Sequence, residues 1–381
     1  MGVLRFMTAG ESHGPCLVGI LDGLPAGLPL AEDDLRPRLA RRRGGHGRGA
    51  RMKLEADEPR IVGGTWRGLT TGAPLGVVVE NASNRAGRAA AAKTIPRPGH
   101  ADLAGMLKYH GTDANPVLER ASARETAMRV ALGAAACVLL ERFGVRLVAR
   151  VVEFGGVAAG PLDPALGPDA VAAARDASPV ACCDPAASAA MVARVDEARA
   201  AGETLGGRIE LVVSGLPPGL GAAAQWDRRL DGRLGQALLS IPSAKEAELG
   251  DALAAARGLG GAAHDPIVRR GDGLARGANR AGGLEGGMTN GEPLVARATF
   301  KPIATLRRGL PSVDLATGEE TTARYVRSDV GVVPAAAVVA EAVAALVLAD
   351  AFLEKFGGDH VDDVAAALDA FRARAPRWGR P

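Results

Sequence analysis

The chain has 381 residues and a formal net charge of +3, from 46 basic and 43 acidic side chains. This balance gives no sign of a polyanionic partner such as nucleic acid. Hydrophobic residues make up 47% of the chain and aromatic residues only 3%, so the core must consist mainly of Ala, Val and Leu. The four cysteines lack C-x-x-C spacing, which favours a reducing, cytoplasmic location without structural disulfides.

The first half of the chain predicts an irregular series of strands and helices. The apolar runs VLRFMTA and CLVGILDG predict strands on either side of the turn GESHG. A helix is predicted over residues 32–43, with further strands at RIVGGTW, PLGVVVEN, VRLVARVVEFGG and GRIELVVSGL. Ser122 and Glu125 match a capping box that predicts the start of a long helix, which Gly144 ends. This irregular order favours an α+β fold over a regular parallel sheet.

The second half predicts mainly helices. Residues 160–201 are rich in Ala and Pro and predict surface helices. In the apolar segment 332–356, Glu341 and Asp350 leave no piece as long as the roughly 20 residues of a membrane span. The segment therefore predicts a buried helix and no membrane attachment. We expect one domain over residues 1–370 and a polar tail over residues 371–381.

The turn GESHG, residues 10–14, fits the G-x-S-x-G pattern of a hydrolase nucleophile elbow. A serine hydrolase using Ser12 is therefore one hypothesis. An elbow needs a helix after the serine, whereas the following residues predict a strand, which weakens this hypothesis. His13 is a second candidate, because imidazole titrates near neutral pH and can act as an acid or base. The alternative is a turn histidine that only hydrogen-bonds the backbone.

The segment RPGHADL contains a second histidine in a turn. Arg97 precedes His100 by three residues, and Asp102 follows it by two. The Pro-Gly turn fixes the backbone, and a guanidinium beside a histidine indicates an anionic ligand. A loop histidine with a purely structural role is the competing interpretation.

The segment RRRGGHGRGARMK, residues 41–53, is strongly basic. An RNA-binding segment over residues 41–51 is one interpretation, but it contains no aromatic residue for base stacking. Arg42, Arg48 and Arg51, spaced by glycines, suit a small ligand that carries phosphate and carboxylate groups.

Two later segments leave structural and functional interpretations open. NRAGGLEGGMTNGEP matches neither a P-loop nor a Rossmann fingerprint, and it suits a ligand-binding loop and a surface loop equally well. In VRSDVGVVP, Asp329 is either a helix-capping group or a base beside Arg327. The six histidines show no metal-ligand spacing, so no metal site is predicted.

Taken together, nine segments in the same order resemble the chorismate synthase family over nearly the whole chain. They are TAGESHGP, RRRGGHGRGARMK, RPGHADLAGMLKY, LERASARET, WDRRLD, NRAGGLEGGMTNG, KPIATL, RSDVGVVPAA and LEKFGGD. The resemblance implies 1,4-anti elimination of phosphate from 5-enolpyruvylshikimate-3-phosphate to give chorismate, the last step of the shikimate pathway. It implies a need for reduced FMN, which in this family donates an electron transiently as phosphate leaves. It also implies a single-domain β-α-β sandwich and a homotetramer.

The resemblance assigns roles to individual residues. His13 would protonate reduced flavin, His100 would protonate the departing phosphate, and Asp329 would assist removal of the C6 proton through the flavin N5. The FMN contacts would be Arg120, Ala121, Ser122, Pro242, Ser243, Gly286, Lys301, Pro302, Ile303, Ala304, Thr305 and Arg327. The substrate, or NADPH as reductant, would be bound by Arg42, Arg48, Arg51, Arg97 and Arg124. Because the chain lacks large insertions, we expect an external flavin reductase.

Three features depart from the family pattern. Pro242 and Ser243 stand where Asn-Ala or a similar pair is usual, and proline offers no N–H to a flavin. His46 replaces the more usual Tyr. The segment 81–96 is shorter than in many relatives and lacks their Trp. None of these changes removes a residue with a catalytic assignment.

Overall fold

The computed structural model describes residues 3–49, 54–84, 91–163, 166–271, 273–323, 325 and 329–374. Numbered in chain order, its helices are α1 (Glu32–Arg43), α2 (Asp102–Lys108), α3 (Asn115–Arg120), α4 (Thr126–Arg142), α5 (Pro168–Asp176), α6 (Pro185–Ala201), α7 (Leu230–Leu239), α8 (Ala252–Arg257), α9 (Gly260–Ala263), α10 (Val333–Phe356) and α11 (Val361–Arg374). Its strands are β1 (Arg5–Ala9), β2 (Cys16–Asp22), β3 (Pro59–Gly63), β4 (Thr65–Trp66), β5 (Leu69–Thr70), β6 (Leu75–Glu80), β7 (Arg146–Phe154), β8 (Val157–Ala158), β9 (Gly207–Ser214), β10 (Ala244–Leu249), β11 (Ile267–Arg270), β12 (Gly273–Arg276), β13 (Leu284–Glu285), β14 (Met288–Thr289), β15 (Leu294–Phe300), β16 (Pro311–Val313) and β17 (Glu320–Thr322).

Two antiparallel sheets form the outer layers. The first has the strand order β1-β2-β6-β3, and the second has the order β10-β15-β9-β7-β8. Along β15, every second residue from Leu294 to Phe300 is buried, as expected for a strand with one face on the core. The predicted strands and the α+β sandwich are therefore confirmed.

Long helices fill the space between the sheets. Helix α4 packs on β2 and β6 of the first sheet, α10 packs on β7 and β9 of the second, and α4 and α10 pack on each other. Their backbones approach closely at Gly133, where an added Cβ would lie 2.5 Å from the Cβ of Ala342. Small residues thus let two helices share one layer.

Helix α10 has the length and apolar composition of a membrane span, but 94% of its most apolar window is buried inside the protein. Its two buried acidic residues, Glu341 and Asp350, are neutralised there. Glu341 accepts hydrogen bonds from Arg41 and Arg175, and Asp350 pairs with Arg233. The prediction of a buried helix at residues 332–356 is confirmed.

The start of α4 differs from the predicted capping box. A 3-10 turn, Ala123–Glu125, precedes the helix, and the Ser122 hydroxyl accepts from the Arg124 N–H. The Glu125 carboxylate does not return to Ser122, because it accepts from the Thr8 hydroxyl and pairs with Arg129. The predicted long helix is correct, but its α-helical part begins at Thr126.

The C-terminal helix α11 reaches Arg374, so the expected tail begins inside it. The ring of Phe371 packs edge-on against Phe356 of α10, with centroids 5.5 Å apart. This contact ties the end of the helix to the core. Residues 375–381 lie outside the described part of the chain.

Candidate active site

The GESHG turn joins β1 to β2 and brings His13 against Glu119 at the end of α3. The His13 Nδ1 lies 3.0 Å from both carboxylate oxygens. The His13 backbone N–H and the Ser12 hydroxyl also donate to this carboxylate, over 2.9 and 2.5 Å. Because an ionised carboxylate only accepts hydrogen bonds, the ring proton sits on Nδ1 and Nε2 is left for chemistry.

These contacts argue against a nucleophilic Ser12. Its side chain is buried, and its hydroxyl donates to Glu119. After the turn the chain enters strand β2 at Cys16, whereas a nucleophile elbow leads into a helix. The serine hydrolase hypothesis is therefore wrong at this site, and His13 is the residue that the turn presents.

The RPGH turn builds a second histidine–carboxylate pair. The His100 Nδ1 lies 2.5 Å from Asp102, whose carboxylate also binds Arg97 over 2.8 Å. Burial raises the pKa of Asp102, but hydrogen bonds from His100 and Arg97 outweigh it and hold this pKa well below its usual range. The Arg97 guanidinium is thus partly neutralised inside the chain, which sequence reasoning did not anticipate.

The KPIATL segment packs against the RPGH turn. The Lys301 ammonium donates to the Gly99 carbonyl over 2.5 Å, and Arg97 donates to the Thr305 hydroxyl over 3.3 Å. Ala304 also faces this turn, since a Cβ on Gly99 would lie 3.6 Å from the Ala304 Cβ. The fold therefore brings together His100 and a group of residues that the family resemblance assigns to FMN.

Arg42 and Arg124 form a buried cluster with Asp57. Arg42 lies 3.3 Å from the Asp57 carboxylate, and Arg124 forms a close ion pair with it. Asn81 connects this cluster to the GESHG turn. Its side chain accepts a hydrogen bond from Arg124 and donates to the carbonyls of Glu11 and Gly14 in the turn. Burial lowers the pKa of Arg42 to about 10, although Asp57 opposes the shift.

Arg48 and Asp329 bring the basic loop to the start of α10. Their side chains pair at 2.7 Å, and the Asp329 carboxylate accepts the Gly49 N–H over 2.5 Å. Asp329 does not cap α10, because the N-cap residue is Val332 and has no side-chain cap. The buried Nε of Arg48 has no hydrogen-bond partner within the described residues. Arg51, a predicted substrate or NADPH contact, and Arg327, a predicted FMN contact, lie outside these residues.

The other arginines of the basic loop bind groups of the same chain. Arg41 donates twice to the buried Glu341, over 2.8 and 3.0 Å, and Arg43 donates to the Glu55 carbonyl. His46, which departs from the family pattern, lies 2.8 Å from Asp196 of α6. Because these side chains bind groups of the same chain, they leave little basis for the RNA-binding hypothesis.

Residues with an FMN assignment also line a cavity of 510 Å³ between α4 and α7. Its walls include Arg120, Ala121, Ser122 and Pro242. Ser243, the next residue, has a left-handed backbone with φ +73 and accepts the Lys301 N–H over 3.0 Å. Pro302 and Ile303 continue the KPIATL segment, and Thr204 donates to the Ile303 carbonyl.

Gly286 lies apart from these groups, on the β13–β14 hairpin. Among described residues its nearest neighbour is Ala223, 4.0 Å from a Cβ built on Gly286. Nearby glycines have a packing role, since a Cβ on Gly282 would lie 2.4 Å from the Gly250 Cα. Within one chain the NRAGG segment is therefore a tightly packed loop. No cluster of three metal-ligating side chains occurs in the part of the chain that the structure describes.

Comparison with known proteins agrees with this arrangement. A family model described as chorismate synthase matches residues 4–353. The chorismate synthase of Micrococcus luteus is 52% identical over 397 residues, covering 100% of this chain and 96% of the relative. That of Moorella thermoacetica is 52% identical, covering 97% of this chain and 98% of the relative. The chain belongs to the chorismate synthase family.

A solved structure supports the same assignment at the level of the fold. A crystal structure of chorismate synthase has 37% sequence identity and a TM-score of 0.79, with 97% of each chain covered. As a chorismate synthase, the chain is a carbon-oxygen lyase that eliminates phosphate in aromatic amino acid biosynthesis.

Sequence reasoning missed the partners of the predicted site residues. Glu119 and Asp57 were not singled out, although Glu119 lies inside the LERASARET segment next to Arg120. Asn81 was also missed. Each of these residues binds a group far away in sequence, so no local pattern could have identified it; the Glu119 and His13 positions differ by 106.

Proposed function

We propose that this chorismate synthase works with reduced FMN and uses His13, His100 and Asp329 for proton movements. The observation that carries the proposal is the pair of histidines whose Nδ1 atoms are held by Glu119 and Asp102. Each histidine keeps Nε2 without a hydrogen-bond partner among described residues, so each can give a proton from that atom when its ring is the doubly protonated imidazolium.

The described residues fit a flavin in two respects. The cavity lined by Arg120, Ala121 and Ser122 has a volume within the range of ligand pockets. The KPIATL segment packs on the His100 turn, so a group bound there lies beside a proposed acid. When bound, reduced FMN would supply an electron-rich ring that assists departure of the phosphate.

Arginines would bind the substrate anion. The buried Nε of Arg48 has no partner among described residues, which is unusual for a buried donor and suits an incoming phosphate or carboxylate. Arg97, beside His100, would stabilise the charge that develops on the leaving phosphate. In this proposal Arg42 and Arg124 do not contact the substrate directly, because Asp57 already binds them. They contribute positive charge near it.

Asp329 would help remove the C6 proton. In the structure its carboxylate pairs with Arg48 and accepts the Gly49 N–H. An anionic substrate that engages Arg48 would compete for this guanidinium and release the carboxylate to accept a proton. The ion pair therefore links substrate binding to the availability of the base.

The remaining parts of the proposal concern assembly and supply of reduced flavin. We propose a homotetramer in the cytoplasm that receives reduced FMN from an external reductase, with NADPH as the ultimate reductant. The absence of C-x-x-C spacing and the similarity to chorismate synthases support this location.

A binding and activity experiment tests these assignments. Oxidised FMN is titrated by fluorescence quenching with and without 5-enolpyruvylshikimate-3-phosphate, and kcat is measured anaerobically with photoreduced FMN. We expect His100→Ala and His13→Ala to retain FMN binding and lose kcat by about 10²-fold or more. Full activity in both variants would contradict the acid roles, and wild-type protein that binds no FMN would contradict the cofactor proposal.

A further inference from the structure

The two histidine–carboxylate pairs differ in the charge that surrounds the carboxylate. Asp102 is bound by the Arg97 guanidinium as well as by His100, so its negative charge is shared with a cation. Glu119 accepts from the Ser12 hydroxyl, the His13 backbone N–H and the His13 ring. Among described residues, no Lys or Arg forms an ion pair with Glu119.

We propose that Glu119 is a positioning residue for His13: its carboxylate fixes the ring proton on Nδ1, and its unshared charge stabilises the imidazolium that delivers a proton from Nε2. The inference rests on the proposed acid role of His13. A carboxylate on Nδ1 selects one tautomer of a histidine and orients the ring, as in other acid–base sites. Glu119 touches neither substrate nor cofactor in this account, and it acts only through His13.

The surroundings keep Glu119 charged. Burial raises the pKa of Glu119, but hydrogen bonds from His13 and Ser12 outweigh this effect and lower the pKa to about 2. Other charged groups face the turn less directly. Arg120 donates to the carbonyls of Thr8 and Gly10, and Arg124 reaches the turn through Asn81. Glu119 is therefore the charge in direct contact with the His13 ring.

Glu119→Gln separates the charge from the shape. The glutamine amide has the size of the carboxylate and can still accept the His13 backbone N–H. It carries no charge, and its NH₂ group can donate to Nδ1 and select the other tautomer. Glu119→Asp keeps the charge on a shorter side chain. Glu197→Gln is a control, because Glu197 forms an exposed ion pair with Arg194 of the same helix.

The experiment measures kcat, KM and the pH dependence of kcat anaerobically with photoreduced FMN, with circular dichroism as the check on folding. We expect Glu119→Gln to lower kcat about 10- to 100-fold, part of the factor that acid–base catalysis supplies, with KM changed less than about threefold. We expect the alkaline limb of its pH profile to move to lower pH. Glu119→Asp should restore the profile, and Glu197→Gln should match wild type.

Two results would overturn the inference. One is an unchanged kcat and pH profile in folded Glu119→Gln. The other is an equal loss of kcat in Glu119→Gln and Glu119→Asp with an unshifted pH profile, which is the result expected for a purely structural residue. If Glu119→Gln does not fold, the pH profile of Glu119→Asp decides. Failure of the proposed function looks different, because wild-type protein itself would then form no chorismate with reduced FMN.

Discussion

Asp57 carries a negative charge that two buried arginines share, and Arg124 also lies 3.4 Å from the buried Glu55. The side chains of Arg42, Arg124 and Asp57 are 4%, 2% and 0% exposed, so water cannot replace the carboxylate. Removing one partner of a buried ion pair costs about 3–5 kcal/mol, because the remaining charge stays buried. Asp57→Asn keeps the side-chain shape, and Asn tolerates the left-handed backbone at φ +51. We therefore expect the free energy of unfolding to fall by about 3–5 kcal/mol.

The assay is equilibrium unfolding in urea at pH 7.5, followed by far-UV circular dichroism at one fixed protein concentration. Asp22→Asn is the control, since Asp22 pairs with Arg5 at the surface, where such a pair contributes about 0–1 kcal/mol. A loss below about 1 kcal/mol in Asp57→Asn, equal to that of the control, would refute the view that Asp57 holds the arginine cluster together.

Three further predictions concern packing and ionisation. Gly133→Ala should lower the free energy of unfolding by about 1–3 kcal/mol, because the added Cβ meets Ala342. Gly235→Ala, in open space on α7, should raise it by about 0.5–1 kcal/mol. Equal effects of the two substitutions in thermal unfolding would contradict the close packing at Gly133. The folded-state pKa of Glu119 lies below its ordinary value of 4.5. The ionised carboxylate therefore stabilises the fold fully above pH 4.5, and this contribution is lost as the pH falls towards 2. The Tm of Glu119→Gln should depend less on pH in that window than the Tm of the wild type. Burial raises the pKa of Cys137 to about 12, so a thiol reagent at pH 8 should label it only after unfolding, and native labelling would contradict its burial.

The main elements of the fold could be predicted from local patterns. The helix over residues 32–43 has the predicted bounds, and the apolar helix before Gly357 is buried as expected. The first helix follows from its composition and from Gly44 at its end, although Pro37 lies inside it. The second follows from its apolar composition, from Pro334 in its first turn and from Gly357 at its end. The capping box at Ser122 failed because Thr8 and Arg129 compete for the Glu125 carboxylate. A distant partner overrode the local signal.

The candidate site was predictable in its residues but not in its pairing. His13, His100 and Asp329 were recognised from short motifs, and the structure gives each a charged partner. The motif around Arg97 predicts a guanidinium that binds an anion. The structure adds that Asp102 shares the charge of this guanidinium. Contacts between distant segments depend on the packing of the whole fold and leave no local pattern.

The most direct test of the account is the stoichiometry of the reaction itself. Purified protein is incubated anaerobically with 5-enolpyruvylshikimate-3-phosphate and either photoreduced or oxidised FMN, and chorismate and inorganic phosphate are measured together. We predict that chorismate and phosphate appear in equal amounts, and only with reduced FMN. Product formation with oxidised FMN, or phosphate release without chorismate, would contradict it.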